Sequence, residues 1–195
     1  MPTIVLATTN PDKLREIRAL LAGVPHDLVA LDAYPNLLAP EETGLTFEDN
    51  ASLKARYYAQ STGHPAIAED SGLEVDALDG QPGVQSARFG GAEATYPEKF
   101  AALYKMLDAA GSRESTARFV CALALASGSD LLFEARGVVE GRISPEPRGE
   151  HGFGYDPIFF YPPAGRTLAE VDDDTKRAVS HRGAAFRKLR AFLLR

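Results

Sequence analysis

Residues 3–13 read TIVLATTNPDK, a short apolar run that breaks into Thr8, Thr9, Asn10 and Pro11. The apolar part has the length and composition of a buried strand. Asn10 suits a helix N-cap and Pro11 suits the first helical position. Leu14, Ile17 and Leu21 then recur at helical spacing. A buried strand feeding directly into a helix is the start of an α/β fold.

The rest of the chain extends that pattern. Residues 29–31 read as a second short strand. Thr46 and Asp49 resemble a capping box, with Asp in place of the usual Glu or Gln, and the helix they open is expected to reach Thr62 and stop at Gly63. Residues 66–68 and 73–75 look like two strand pieces separated by a polar turn, Glu69-Asp70-Ser71-Gly72. Thr95 and Glu98 form another capping box. Phe100, Leu103 and Leu107 mark the buried face of its helix, and Gly111 ends it. Residues 116–126 and 131–140 are the longest strand candidates, joined by the hairpin signal Ser127-Gly128-Ser129-Asp130. Another strand is expected at 158–161. Ser180 is expected to cap a last helix that turns Phe186, Leu189 and Leu193 inward. The order implies α/β with a mixed sheet flanked by helices. The long hairpin suggests a second lobe, with a cleft between lobes as the natural place for a ligand.

Bulk properties narrow the function. The chain has 195 residues and a formal net charge of −6. That charge argues against a nucleic-acid duplex as partner, which would need a cationic footprint. It leaves a nucleotide substrate open, because a bound cation inverts the local field. The one cysteine, Cys121, lies in an apolar run and reads as a small core residue in a reducing compartment. No stretch approaches the roughly 20 apolar residues of a membrane span. The first residues lack the pattern of a secretory signal, so the cytoplasm is the expected location.

Four polar segments carry candidate chemistry. Thr8, Thr9, Asn10, Pro11, Asp12 and Lys13 place hydroxyls, an amide and a lysine at a helix start, which attracts an anion. Plain capping by Asn10 is the competing reading. Glu41, Glu42, Glu69 and Asp70 supply the hard oxygen ligands that suit Mg²⁺. Ser71 could donate to a phosphate, and Gly72 would let the chain turn. Phe153, Gly154, Tyr155 and Asp156, after Gly152, could lay backbone and ring against a flat ligand. Lys176 with His181 and Arg182 offers a second anion or base-edge site. The chain shows no Walker loop, zinc spacing or serine-triad signal.

Taken together and in order, these segments resemble the inosine triphosphate pyrophosphatase family, also called the Ham1 family. The resemblance is carried by LATTNPDK (6–13), EETGLTFEDNA (41–51) with Lys54-Ala55, AEDSGL (68–73), PGV (82–84), SAR (86–88), GFGYDP (152–157) and SHRG (180–183). It implies one domain over residues 1–195, an elongated α/β fold with a central substrate cleft, and a homodimer. It also implies Mg²⁺-dependent hydrolysis of non-standard purine nucleoside triphosphates (dITP, ITP, XTP, dXTP) to the monophosphate and pyrophosphate. Thr8 to Lys13, with Lys54 and Ser71, would then hold the triphosphate. Asp70 would accept the proton from water and, with Glu41, hold the metal. Phe153 to Asp156, Lys176, His181 and Arg182 would hold the base. Many relatives carry Asp-Asp where this chain has Glu69-Asp70, and Glu69 keeps the charge on a longer arm. Hypoxanthine and xanthine present a carbonyl at C6 where adenine presents an amine, so donors from the Ser-His-Arg segment would discriminate between them. A pyrophosphatase of other base specificity, a nucleotide-binding module and a partner-binding domain are the alternatives.

Overall fold

The computed structural model describes residues 2–91 and 93–195. Strand β1 (Thr3–Leu6) leads into helix α1 (Pro11–Leu20) as the opening residues require. The Asn10 side chain accepts from the backbone N–H groups of Asp12 and Lys13, and Pro11 stands where no N–H is needed. Strand β2 (Asp27–Ala30) follows. Helix α2 (Phe47–Thr62) starts on Thr46, whose hydroxyl accepts from the Asp49 N–H, and ends on Gly63 at φ 70°. Both ends fall where the capping residues placed them.

Strand β3 (Ala66–Val75) departs from expectation. It is one continuous ten-residue strand, and Glu69 to Gly72 lie within it. Gly72 does not make a turn. It admits a neighbour: a Cβ there would come within 2.5 Å of the Gly83 carbonyl oxygen. Ser86 fills that space, its hydroxyl accepting from the Leu73 N–H at 2.9 Å and donating to the Gly83 carbonyl at 2.6 Å.

Helix α3 (Tyr96–Ala109) carries the expected capping box at Thr95 and Glu98. Strands β4 (Thr116–Ser127) and β5 (Asp130–Ile143) form the hairpin around residues 128–129. Strands β6 (Phe159–Tyr161) and β7 (Arg166–Thr167) follow. Helix α4 (Asp173–Val179) has no apolar periodicity and escapes a sequence reading; Asp172 caps it by accepting from the Thr175 N–H. Ser180 ends α4 and leads directly into α5 (His181–Leu193). Within α5, Phe186 and Leu189 are fully buried.

The strands form one mixed sheet in the order β2-β1-β3-β4-β5-β6-β7. β1 pairs in parallel with β2 and β3, and β6 pairs antiparallel with β5 and β7. The chain divides into two compact units. The first takes Met1–Asp70, Cys121–Gly137 and His181–Arg195. Its core packs Ile4, Leu6, Ile17 and Leu21 with Ile67, Leu123 and Phe186. The second takes Ser71–Val120 and Val138–Ser180, and packs Leu73, Phe100, Leu103 and Leu107 with Phe159 and Leu168.

Within the first unit, α5 approaches β5 closely at Gly137. A Cβ there would overlap the His181 carbonyl oxygen and lie 2.6 Å from the Ala185 nitrogen. Both obstacles are backbone and cannot rotate away. Among the described residues, no helix is long and apolar enough to cross a membrane.

Candidate active site

Side chains on a strand alternate between faces, so neighbours on β3 reach different surroundings. Among the described residues Asp70 and Glu69 have different ion-pair partners, Lys54 for the first and Lys13 and Arg182 for the second. Asp70 meets two residues of α2 one turn apart. The Asn50 amide donates to Asp70 Oδ2 at 3.0 Å, and the Lys54 ammonium lies 3.3 Å from Oδ1. Lys54 also reaches Glu42 Oε1 at 2.8 Å. Asn50 is itself fixed, because its Oδ1 accepts from the Gly44 N–H at 2.8 Å. Burial pushes the Asp70 carboxyl above its ordinary range, against the pull of Lys54 and Asn50. Burial alone would lower Lys54, but Asp70 and Glu42 outweigh it and hold the ammonium above its usual value.

Two carboxylates, Asp70 and Glu42, therefore reach the Lys54 ammonium. Such a site offers carboxylate oxygens, the donor chemistry a hard divalent cation takes. Among the described residues, no group of three or more His, Cys, Asp or Glu side chains is placed to hold a metal. Mg²⁺ needs only one or two carboxylates when phosphate oxygens and water complete its shell, so the residues present fit it. Glu41 is exposed; its neighbour Glu42 is the one that reaches Lys54.

Glu69 sits in the opposite situation. Arg182 Nη2 lies 2.9 Å from Glu69 Oε1, and Arg182 Nη1 lies 2.7 Å from Glu16 Oε2. Lys13 Nζ approaches Glu69 Oε1 at 3.2 Å, and the Cys121 thiol donates to Oε2 at 2.9 Å. Burial opposes the charge on Glu69, but Arg182 and Lys13 overcome it and hold the carboxyl well below its usual range. Burial and the Glu69 charge push the Cys121 thiol up, so it stays protonated. Cys121 is a core residue as expected, with a polar partner its sequence context does not reveal.

In the second unit, Asp156 and Lys176 pair at 2.6 Å, both nearly fully buried. Asp156 Oδ2 also accepts from the Phe153 N–H at 2.8 Å. Lys176 Nζ lies over the Phe153 ring, 4.3 Å from its centre. Gly152 adopts φ 71° beside Asp156, where a side chain would collide with the carboxylate. The loop is thus built to hold one aromatic ring in a fixed pose.

Residues 4–192 match the Ham1 family. The chain belongs to that family. It is 48% identical over 191 residues to a dITP/XTP pyrophosphatase of Exiguobacterium sp., covering 98% of this chain and 96% of the relative. A dITP/XTP pyrophosphatase of Geobacter sulfurreducens is 47% identical, with 99% and 97% covered. The solved HAM1 protein of Coxiella burnetii superposes with a TM-score of 0.93 at 42% identity, covering 99% of this chain and 98% of that one.

Two of the residues expected at the ligand in this Ham1-family chain are buried and have partners of their own. Tyr155 is only 4% exposed; its ring lies edge-on to Tyr96 and its hydroxyl donates to the Ser86 carbonyl at 2.9 Å. It belongs to the core of its unit because its apolar body and hydroxyl are both satisfied there. Arg182 is 1% exposed, and its guanidinium pairs with Glu69 and Glu16. At the start of α1, Asp12 accepts from Arg15 at 2.9 Å, and its N–H is already taken by the Asn10 cap. Thr8 accepts from the Asn10 N–H, and Thr9 and Pro11 are exposed. Lys13 is not a solvated lysine but Glu69's partner. Sequence reasoning passed over Asn50 and Glu16 as chemistry. Asn50 carries a signal in retrospect: it lies on the buried face of α2 with Phe47 and Ala51, where a polar side chain must find a partner.

Proposed function

We propose that this chain hydrolyses non-standard purine nucleoside triphosphates, dITP, ITP, XTP and dXTP, between the α- and β-phosphates, releasing the monophosphate and pyrophosphate. The observation that carries this reading is the Asp70 cluster, two carboxylates on one ammonium beside a buried amide, in a chain whose relatives are dITP/XTP pyrophosphatases.

Phosphoryl transfer asks a protein mostly for positioning and charge neutralisation. Asp70 accepts the proton of the attacking water. Asn50 and Lys54 hold the Asp70 carboxylate in one orientation. Thr8 to Lys13, with Lys54 and Ser71, hold the triphosphate. Asp70 and Glu41 would hold Mg²⁺, which when bound neutralises phosphate charge and acidifies water. Phe153 stacks on the base, Gly154 gives the loop its left-handed turn at φ 70°, and Lys176 and Asp156 keep the ring in place. His181 is assigned to the base edge. The chain acts as one domain, as a homodimer, in the cytoplasm.

The test is pyrophosphate release from dITP, XTP, dGTP and dATP, each with Mg²⁺ and with EDTA. Fast, metal-dependent release from dITP and XTP alone is the expected result. Release of single phosphate, equal rates on all four or no turnover would sink the reading.

A further inference from the structure

We propose that Glu69 is a positioning residue that acts through Lys13, presenting its ammonium to the phosphates. The inference rests on the reading above in which Lys13 binds the triphosphate. It explains why a carboxylate adjacent to Asp70 points into an otherwise closed ionic network.

Lys13 and Glu16 lie one turn apart on α1, so they share a face of that helix. Arg182 grips both that helix and β3, through Glu16 at 2.7 Å and Glu69 at 2.9 Å. Arg182 Nε adds contacts of 3.1 Å to each Glu69 oxygen, and Cys121 donates to the second of them. A carboxylate held by a planar guanidinium and a thiol has one orientation left. Lys13 meets that fixed carboxylate at 3.2 Å. Its side chain is 21% exposed while that of Glu69 is 2% exposed, so Lys13 is where the network opens to solvent. A lysine stem loses considerable rotamer freedom when its tip binds a ligand. A stem already anchored gives up less on binding, which is preorganisation. Glu69 thus reaches from β3 to both cations, Arg182 and Lys13.

The test is a double-mutant cycle of Glu69→Gln with Lys13→Ala, read as kcat/KM for dITP and as calorimetric affinity for inorganic pyrophosphate. Glu69→Gln is expected to lower both by about tenfold in the otherwise unchanged chain, and by no more than about twofold once Lys13 is alanine. A purely structural Glu69 would cost the same factor in both backgrounds, and that result overturns the proposal. Glu69→Asp runs in parallel, because it keeps the charge that Arg182 needs while shortening the reach, and it carries the cycle if the glutamine variant does not fold. Should Lys13→Ala by itself leave turnover and pyrophosphate affinity unchanged, the phosphate role of Lys13 fails, and this inference fails with it. An effective Lys13→Ala with additive Glu69 variants removes the inference alone.

Discussion

The surroundings of Asp70 and those of Glu69 start from consecutive residues of one strand, yet their charges are arranged in opposite ways. Around Glu69, two carboxylates meet two cations; Glu69 and Arg182 are almost wholly enclosed, and Lys13 reaches solvent. Around Asp70, two carboxylates meet one ammonium, and burial works against the charge on Asp70. A balanced enclosed network stabilises a geometry. An unbalanced, partly open one stores a demand for a cation and a readiness to take a proton. The difference teaches that adjacent acidic residues need not share a task, because the two-residue repeat of a strand sends them to separate chemistries.

The largest expected effect falls on the unbalanced side. Asp70→Asn should reduce kcat by about 10²- to 10⁴-fold, the usual worth of a general base, with nucleotide affinity nearly kept. Urea unfolding of the same variant should show stability unchanged or higher, since the substitution removes a charge that burial disfavours. A near-normal kcat would erase the contrast between the two sides.

Arg182→Ala probes the balanced side. It leaves Glu69 and Glu16 buried against too little positive charge, and should cost about 3–5 kcal/mol in urea unfolding. A loss below 1 kcal/mol, read by the same method, would show that the network is not what holds α1, β3 and α5 together.

Gly137→Ala is the mildest of the three. The added Cβ meets backbone at His181 and Ala185, so α5 must shift as a unit, at about 1–3 kcal/mol of stability. Because Arg182 follows His181 directly, the shift should also weaken pyrophosphate binding, if only slightly. Normal stability in this variant would mean that α5 has room to move, and that Arg182 is placed by its ion pairs alone.

What the sequence made legible follows from the range of the interactions. The Asn10 and Thr46 caps, the Thr95-Glu98 box and the hairpin at residues 128–129 depend on residues a few positions apart, and they lie where local chemistry puts them. The continuity of β3 was not legible, because Glu-Asp-Ser-Gly has the composition of a turn and only distant groups make it a strand. Arg182 is 113 residues from Glu69, and Tyr155 is 69 residues from Ser86. Their sequence surroundings, Ser-His-Arg-Gly and Gly-Phe-Gly-Tyr-Asp-Pro, look like ligand-binding loops at both positions. Nothing nearby tells a buried guanidinium from an exposed one.

The sheet order has a consequence for how copies of this chain behave in a crowded solution. Its outermost strands are β2, of four residues, and β7, of two, while the long strands β4 and β5 lie inside. Unpaired N–H and C=O groups on a strand edge are the template on which proteins aggregate and on which foreign strands are recruited. At the two ends of the sheet that template is only a few residues long, so adding a strand beyond β2 or β7 has little to grip.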